Sequence, residues 1–159
     1  MLKCPNCGRE IEEDYRFCKY CGQELTPKSD ASTAEEIKNT VIQRIEAIKN
    51  REAKSIASLV FKEKYSKFDD WPPFDLQDSD ALRSEADALK ALKEYNYETR
   101  GWRVEIFGDM ALATFIIRYR GRIRNLDFNI QSRVTEVLLR QGQSWQIIHE
   151  HWSRFPVQK

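Results

Sequence analysis

The sequence is poor in several residue types, and each shortage narrows what the protein can do. Of its 159 residues, two are histidine and four are cysteine, and every cysteine lies before residue 22. The remainder of the chain therefore offers no thiol for a disulfide or a cysteine nucleophile. It contains no apolar run approaching the ~18 residues of a membrane-spanning helix, and its first residues lack an apolar stretch of signal-peptide length. We therefore expect a soluble protein of the cytoplasm.

The chain also lacks an excess of either charge. It carries 26 basic and 25 acidic side chains, for a formal net charge of +1. Proteins that bind nucleic acid over much of their surface usually have a large positive excess, so the balance argues against such a partner. The local exception is an alternating series formed by Arg118, Arg120, Arg122 and Arg124. A nucleic-acid contact would explain it, but we favour a solvated face paired with nearby carboxylates.

The four cysteines have the spacing of a metal site: Cys4-x2-Cys7, ten residues, then Cys18-x2-Cys21. Two residues between thiolates allow one tight turn to bring both sulfurs to one ion, and a tetrahedral set of four suits zinc. The pattern predicts a structural Zn²⁺ bound by all four. The spacing also admits iron, and we favour zinc because the intervening loop is short. Disulfides fit a reducing compartment poorly, and a redox pair needs a larger strand–helix context.

Glycine follows the second cysteine of each pair, at Gly8 and Gly22. A positive φ at these positions would let backbone N–H groups point at the sulfurs. Residues 4–25, CPNCGREIEEDYRFCKYCGQEL, resemble the short zinc ribbon of the form CPxCG…FCxxCG found at the N-terminus of many bacterial and archaeal proteins. The resemblance implies a structural zinc and small β-hairpins, and it does not imply one function.

The charge of this module bears on its partner. Residues 1–30 contain five basic and six acidic side chains, and a zinc ion with four thiolates adds a charge of −2. A surface that binds phosphates should be positive. We therefore expect the ribbon to be structural or to dock a protein.

We assign the ribbon to residues 1–25. The polar segment that follows, at 26–32, predicts a linker to a second domain at 33–159. Three segments with helical spacing of apolar residues come first, and a capping-box pattern places the start of the first helix near Thr33. From Tyr95 onward apolar residues alternate, which predicts four long antiparallel strands. Helices followed by a meander indicate an α+β fold, with three helices packed on one face of a strongly curved antiparallel sheet.

Residues 33–156 resemble the nuclear transport factor 2-like superfamily, in particular its SnoaL-like branch, which is related to ketosteroid isomerase. The residues that carry the resemblance are Gly108-Asp109 with Ala111, Arg133 with Thr135, and Trp145 through Ser153. The resemblance implies a cone-shaped domain with a pocket at its wide end and a homodimer formed through the outer sheet face. Some members are isomerases, cyclases or dehydratases and many are non-catalytic, so the fold does not settle the activity.

The candidate pocket rests on the two histidines. His149 and His151 alternate with Trp145, Ile147 and Ser153, which predicts one shared face of the last strand with imidazoles about 6.5–7 Å apart. Such a pair suits acid–base chemistry near neutral pH, or a metal for which no clear third ligand is present. The other interpretation is a structural role, hydrogen-bonded to a neighbouring strand or at a dimer interface. The remaining candidate pocket residues are Arg133, Trp71, Trp102 and Trp152.

Together these observations favour a protein whose second domain binds a small molecule or assembles with a protein, forms a homodimer and does no chemistry. The alternative is an isomerase or lyase acting on a small apolar substrate, with His149, His151 and Arg133 at the pocket. Isomerase chemistry of that type needs a carboxylate base and an oxyanion donor. The sequence shows no pair that matches those roles, so we predict no catalytic residue. A nucleic-acid-associated regulator is a third hypothesis.

Overall fold

The structure is a computed structural model that describes residues 2–12, 17–25 and 30–156. The chain divides into two compact units, Met1–Thr33 and Ala34–Lys159. Among the described helices, none is long and apolar enough to cross a membrane.

The first unit is small and built around its cysteines. Strands β1 (Leu2–Lys3) and β2 (Glu10–Ile11) form an antiparallel pair, and Phe17 and Glu24 form an isolated antiparallel bridge. Among its described residues, Cys4, Ile11 and Cys18 form a buried apolar cluster, with Leu25 packed against them. So small an apolar cluster does not stabilise a fold without help, and a bound metal is the usual source of that help in modules of this size.

Three helices lie in the rest of the described chain, as the sequence predicts. They are α1 (Asp30–Lys49), α2 (Ala53–Ser58) and α3 (Ala81–Leu89). A 3₁₀ turn at Lys62–Lys64 follows α2. Helix α1 begins three residues before Thr33, so the predicted capping box is wrong and residues 30–32 of the predicted linker are helical. Residues 26–29 of that linker lie outside the described residues.

The four long strands are confirmed, and two short strands join them. The strands are β3 (Ser66–Phe68), β4 (Gln77–Asp78), β5 (Leu92–Phe107), β6 (Met110–Ile123), β7 (Leu126–Gln141) and β8 (Ser144–Arg154). Their order in the sheet is β4-β3-β8-β7-β6-β5. Strands β3 and β8 run parallel and all other neighbours antiparallel. The sheet is therefore mixed, and the prediction of a purely antiparallel sheet fails at β3, because a three-residue strand is too short to show alternation.

One face of this curved sheet packs on the helices and forms the core. The inward side chains of β6 are Ala111, Ala113, Phe115, Ile117 and Tyr119, as the alternation predicts, and all are buried. The apolar stripe of α1 packs against the same core, with Ile37, Val41 and Ile45 fully buried. At Gly121 the sheet backbones approach so closely that a Cβ would lie 1.9 Å from the carbonyl oxygen of Glu94. Only glycine fits there, beside a register shift in β5.

The alternating arginines of β6 point to solvent. Arg118, Arg120 and Arg122 are exposed, since β6 continues through Gly121. The Nε of Arg122 donates to Asp127 Oδ1 at 2.7 Å, and the Nε of Arg118 donates to Asn129 Oδ1 at 3.2 Å. Arg122 thus has the acidic partner expected of a solvated face, and the choice between that interpretation and a nucleic-acid contact stays a prediction.

Candidate functional site

Four sulfur atoms converge in the first unit. The Sγ atoms of Cys4, Cys7, Cys18 and Cys21 lie within 4.8 Å of one another. Cys4 and Cys21 have sulfurs 3.6 Å apart, and those of Cys7 and Cys18 are 3.7 Å apart. A tetrahedron of ~2.3 Å zinc–sulfur bonds has sulfurs about 3.8 Å apart, whereas a disulfide bond measures about 2.05 Å. The cluster therefore fits a four-thiolate metal site and does not fit two disulfides.

The two cysteine pairs sit in equivalent backbone turns. The N–H of Gly8 donates to the carbonyl of Cys4 at 2.9 Å, and the N–H of Gly22 donates to that of Cys18 at 2.8 Å. Gly8 has a φ of 70° and Gly22 a φ of 72°. The sequence predicts this left-handed conformation, which glycine adopts without steric cost. The repeated turn places two thiols on each side of the cluster.

The second unit contains a cavity of about 280 Å³ between α3, the inner sheet face and the segment that joins β3 to β4. Aromatic rings form much of its wall: Trp71, Tyr95, Tyr119, Phe128 and Trp152. Six charged side chains also line it: Arg44, Lys67, Asp69, Asp70, Glu85 and Glu150. An apolar cavity with a few converging polar groups is the usual form of a small-molecule site.

The buried guanidinium of Arg44 organises one side of this cavity. Its Nε and Nη2 donate to the two oxygens of Glu150 at 3.1 and 2.9 Å, and its Nη1 and Nη2 donate to those of Glu85 at 2.8 and 3.0 Å. Arg44 and Glu150 are each 2% exposed. The hydroxyl of Tyr65 donates to Glu150, and Lys67 Nζ donates to Glu85 at 2.8 Å. The result is a fixed network across α1, α3, β3 and β8.

The pKa of Glu85 reports the strength of that network. Burial raises the pKa of this carboxyl, but the charges and hydrogen bonds of Arg44 and Lys67 outweigh burial and hold it at about 2. Glu85 is therefore ionised at neutral pH. Because its pKa in the folded chain is depressed, its contribution to stability is present above its ordinary pKa of about 4.5 and is lost as the pH falls toward 2.

Asp70 forms the second polar centre of the cavity. Its Oδ2 accepts hydrogen bonds from the hydroxyls of Tyr119 and Ser132, each at 2.6 Å, and the residue is 4% exposed. Trp71 Nε1 in turn donates to the Tyr119 hydroxyl at 2.9 Å. Burial raises the pKa of Asp70 to about 6, although both hydroxyl donors lower it and Asp69 raises it further. The cavity therefore presents a carboxyl that changes charge near neutral pH.

Glu136 is a buried carboxyl on the inner face of β7, opposite Glu150 on β8. It is 0% exposed, and neither of its oxygens has a hydrogen-bond partner among the described residues. Burial, reinforced by the charge of Glu150, raises the pKa of Glu136 well above its usual range. Glu136 is therefore a carboxyl whose charged form is disfavoured by its surroundings.

A β-bulge in β8 decides which side of the sheet each of its side chains occupies. Leu138 of β7 pairs with Ile147, but the preceding residue, Val137, pairs with His149, so Ile148 is an extra residue in β8. An extra residue reverses the alternation of side chains beyond it. Odd-numbered residues face the core before the bulge, and even-numbered residues face it afterwards.

The bulge separates the predicted histidine pair from the cavity. The prediction that His149 and His151 share a face with Ile147 is wrong, because the reversed alternation turns Glu150 and Trp152 inward instead. Two of the six candidate pocket residues, Trp71 and Trp152, line the cavity together. The four that do not line it are His149, His151, Arg133 and Trp102.

The other candidates have contacts elsewhere. His149 Nδ1 lies 2.8 Å from the hydroxyl of Ser66, and burial together with His151 lowers the pKa of His149. Arg133 is exposed and donates to the hydroxyl of Ser153 at 3.3 Å. Trp102 stacks on the core residue Phe115, with ring centroids 4.0 Å apart.

Sequence reasoning missed the charged residues of the cavity, although periodicity contained a signal for several of them. Arg44 follows Val41 by three residues on the core-facing stripe of α1, and Glu85 follows Leu82 by three on that of α3. Glu136 alternates with core residues of β7. A charge at a core-facing position predicts a buried partner. Glu150 had no such signal, since its direction depends on the bulge.

Comparison with known proteins agrees with this architecture. Residues 37–158 match the family model described as the SnoaL-like domain. The chain belongs to this family. Residues 1–26 match a second family model, described only as a domain of unknown function, DUF7575. A search of curated proteins found no match.

Solved structures share the fold of the SnoaL-like domain at low sequence identity. An NTF2-like protein of Streptomyces avermitilis, provisionally named a dehydratase, is 16% identical with a TM-score of 0.73, covering 81% of this chain and 100% of that one. An NTF2-like protein of unknown function from Pseudomonas putida KT2440 is 23% identical with a TM-score of 0.67, covering 78% and 87%. The CaMKII hub of S. rosetta is 14% identical with a TM-score of 0.65, covering 77% and 96%. At these identities the likeness shows the fold alone.

We predict that Arg44→Met destabilises the SnoaL-like domain by about 3–5 kcal/mol, because it leaves the buried carboxylates of Glu85 and Glu150 without their main counter-charge. Urea unfolding at pH 7 followed by tryptophan fluorescence measures this, since all four tryptophans lie in this domain. The matched control is Arg122→Met, which breaks an exposed ion pair and should change stability by less than about 1 kcal/mol. Equal stability of the two variants would contradict the role assigned to Arg44.

Proposed function

We propose that the SnoaL-like domain binds a small, largely apolar molecule in its cavity. The observation that carries the proposal is a cavity of about 280 Å³ walled by five aromatic rings and holding the buried carboxyl of Asp70. Such a lining would bury much of the surface of an apolar ligand, while one carboxyl fixes its orientation.

The aromatic wall is organised around Tyr119. Its ring stacks on Tyr95 at a centroid distance of 5.6 Å and lies 5.8 Å from Phe128 and 6.0 Å from Trp152. Trp71 meets Phe128 edge to face at 5.7 Å. Rings held by one another in this way form a rigid wall, which lowers the entropic cost of binding a flat ligand.

We predict that Ala88→Trp on α3 blocks the cavity, because Ala88 lines it and an indole there fills its space. The neutral dye N-phenyl-1-naphthylamine reports occupancy by its fluorescence. It should bind the wild-type chain with micromolar affinity and bind the variant at least tenfold more weakly. The matched control is Ala53→Trp, at an exposed alanine of α2 that does not line the cavity. If both variants bind the dye as the wild type does, the cavity is not the site.

A second candidate function is proton transfer on a bound carbonyl compound, and Asp70 is the observation that favours it. A general base works best when its pKa lies near the operating pH, and burial raises the pKa of Asp70 to about 6. The carboxylate would remove a proton from the carbon next to a carbonyl and return it to the resulting enolate.

Deuterium exchange into 2-tetralone, followed by proton NMR in D₂O, tests this function. The chain should accelerate exchange, and the rate should rise as the pH passes from 5 to 7, because the carboxylate form of Asp70 is the active base and its pKa is about 6. Asp70→Asn should lower the rate by about 10²-fold or more, while the dye still binds. A rate that does not respond to Asp70→Asn would leave binding as the function.

We further propose that the domain forms a homodimer through the outer face of its sheet. Cross-strand partners Leu112 and Val137 lie on this face, opposite the core, and Val137 also pairs with His149. His151 pairs there with Thr135. Apolar side chains next to titratable ones suit a subunit interface. The fold shared with the S. rosetta CaMKII hub is in keeping with assembly.

Light scattering after size exclusion tests the dimer. The wild-type chain should have twice the mass of its 18.8 kDa monomer. Val137→Lys should give a monomer, because it places a charge at the centre of the proposed interface. Leu126→Lys, at the exposed first residue of β7, should remain dimeric. A monomeric wild-type chain at micromolar concentration would contradict the proposal.

For the first unit we propose that the metal is Zn²⁺ and that its role is structural. Elemental analysis should find one zinc per chain, and a chelator should remove it. Amide exchange of residues 2–12 should then accelerate, because metal binding supplies the folding free energy of so small a module. The tryptophan bands of the near-UV circular dichroism spectrum should not change, since every tryptophan lies after residue 70. Stoichiometric iron, or protected amides without metal, would overturn the proposal.

A further inference from the structure

We propose that the cavity of the SnoaL-like domain selects organic cations, specifically protonated amines carried on a flat apolar group. This inference rests on the proposed function that the cavity binds a small molecule. It follows from the juxtaposition of five aromatic rings with a buried carboxylate that has no cationic partner among the described side chains.

The charge balance of the cavity wall is negative. Two of its six charged side chains are basic and four are acidic, a sum of −2 when all are ionised. A low-dielectric site with this balance favours a positive ligand and disfavours an anion.

The two basic side chains are occupied by the protein's own carboxylates. Arg44 donates to both oxygens of Glu85 and both oxygens of Glu150. Lys67 Nζ donates to Glu85 at 2.8 Å and to Asp69 at 3.0 Å. An anionic ligand would have to displace these buried ion pairs, and breaking such pairs is costly. The cavity is therefore not an anion site in spite of its arginine and lysine.

Asp70 differs from the other three acidic residues of the wall. The donors to its carboxylate are two neutral hydroxyls, from Tyr119 and Ser132. The guanidinium of Arg154 donates to the backbone carbonyl of Asp70 at 2.7 Å and not to its side chain. An ionised carboxylate held only by neutral donors gains most from a cation brought by a ligand.

The surrounding rings strengthen this preference. A cation near the face of an indole or phenol is attracted by the ring quadrupole, and the attraction grows when water is excluded. Trp71 already attracts a cation from outside the cavity wall, since the guanidinium of Arg154 lies 5.2 Å from its ring centroid. The wall thus combines ring faces and a carboxylate, the two groups that bind ammonium ions.

Three probes with the same ring and different charge test the inference. They are 1-naphthylmethylamine, which is cationic at pH 7.5, 1-naphthalenemethanol, which is neutral, and 1-naphthoate, which is anionic. Each displaces N-phenyl-1-naphthylamine from the full chain, and the displacement gives its dissociation constant. We expect the amine to bind about tenfold more tightly than the alcohol, and the acid to bind more weakly than either.

Two variants assign the preference to named groups. Asp70→Asn retains an oxygen that can accept from Tyr119 and Ser132, and it should reduce the amine's advantage over the alcohol to about twofold. Phe128→Leu removes a ring from the wall and should weaken binding of the amine more than binding of the alcohol. The matched control is Phe107→Leu, at the exposed last residue of β5 and outside the cavity, which should change neither constant.

The outcomes separate this inference from the proposed function. Equal affinity for all three probes, with Ala88→Trp still blocking them, would overturn the cation preference and leave small-molecule binding intact. Tightest binding of the naphthoate would also overturn it, and would show that Arg44 or Lys67 is available to a ligand. Failure of every probe and of the dye at millimolar concentration would overturn both.

Discussion

The interior of the SnoaL-like domain depends on one buried arginine. Arg44 projects from α1 into the space where α3 and β8 meet, and it bonds to a carboxylate from each. Lys67 of β3 is the register partner of Glu150 on β8 and also bonds to Glu85. These contacts connect the parallel strands β3 and β8 with helices α1 and α3. Since desolvation offsets most of the Coulomb energy of a buried pair, the network matters chiefly because any other arrangement would leave charges unpaired.

The bulge in β8 makes this network possible. Without the extra residue at Ile148, strict alternation would turn Glu150 away from Arg44 and would place His149 and His151 in the interior. Because of one inserted residue, the inner face of β8 carries the carboxylate of Glu150 and the indole of Trp152 in place of two imidazoles. Glu150 and Trp152 line the cavity, and the two histidines lie on the outer face.

The same bulge marks the limit of what the sequence could predict. The helices, the long strands and the cysteine cluster follow from periodicity and spacing, which depend on neighbours along the chain. The cavity depends on which face of β8 is inward, and a bulge has no signature in an alternation that looks regular through Trp145, Ile147, His149 and His151. Strands as short as β3 leave no periodic pattern at all. By contrast, Arg44 and Glu85 occupy core-facing helical positions, where a charge is itself a signal of a buried partner.

The contributions of the buried carboxyls to folding stability change with pH in opposite directions. The direction depends on the charges near each carboxyl. Glu85 faces Arg44 and Lys67, so protonating it removes stability as the pH falls from about 4.5 toward 2. Asp70 accepts hydrogen bonds from neutral hydroxyls only, and burial raises its pKa. For Glu136, burial and the charge of Glu150 raise the pKa by more than the charge of Arg44 lowers it. Their contribution is therefore full below their ordinary pKa values and is lost as the pH rises through the raised ones, near 6 for Asp70.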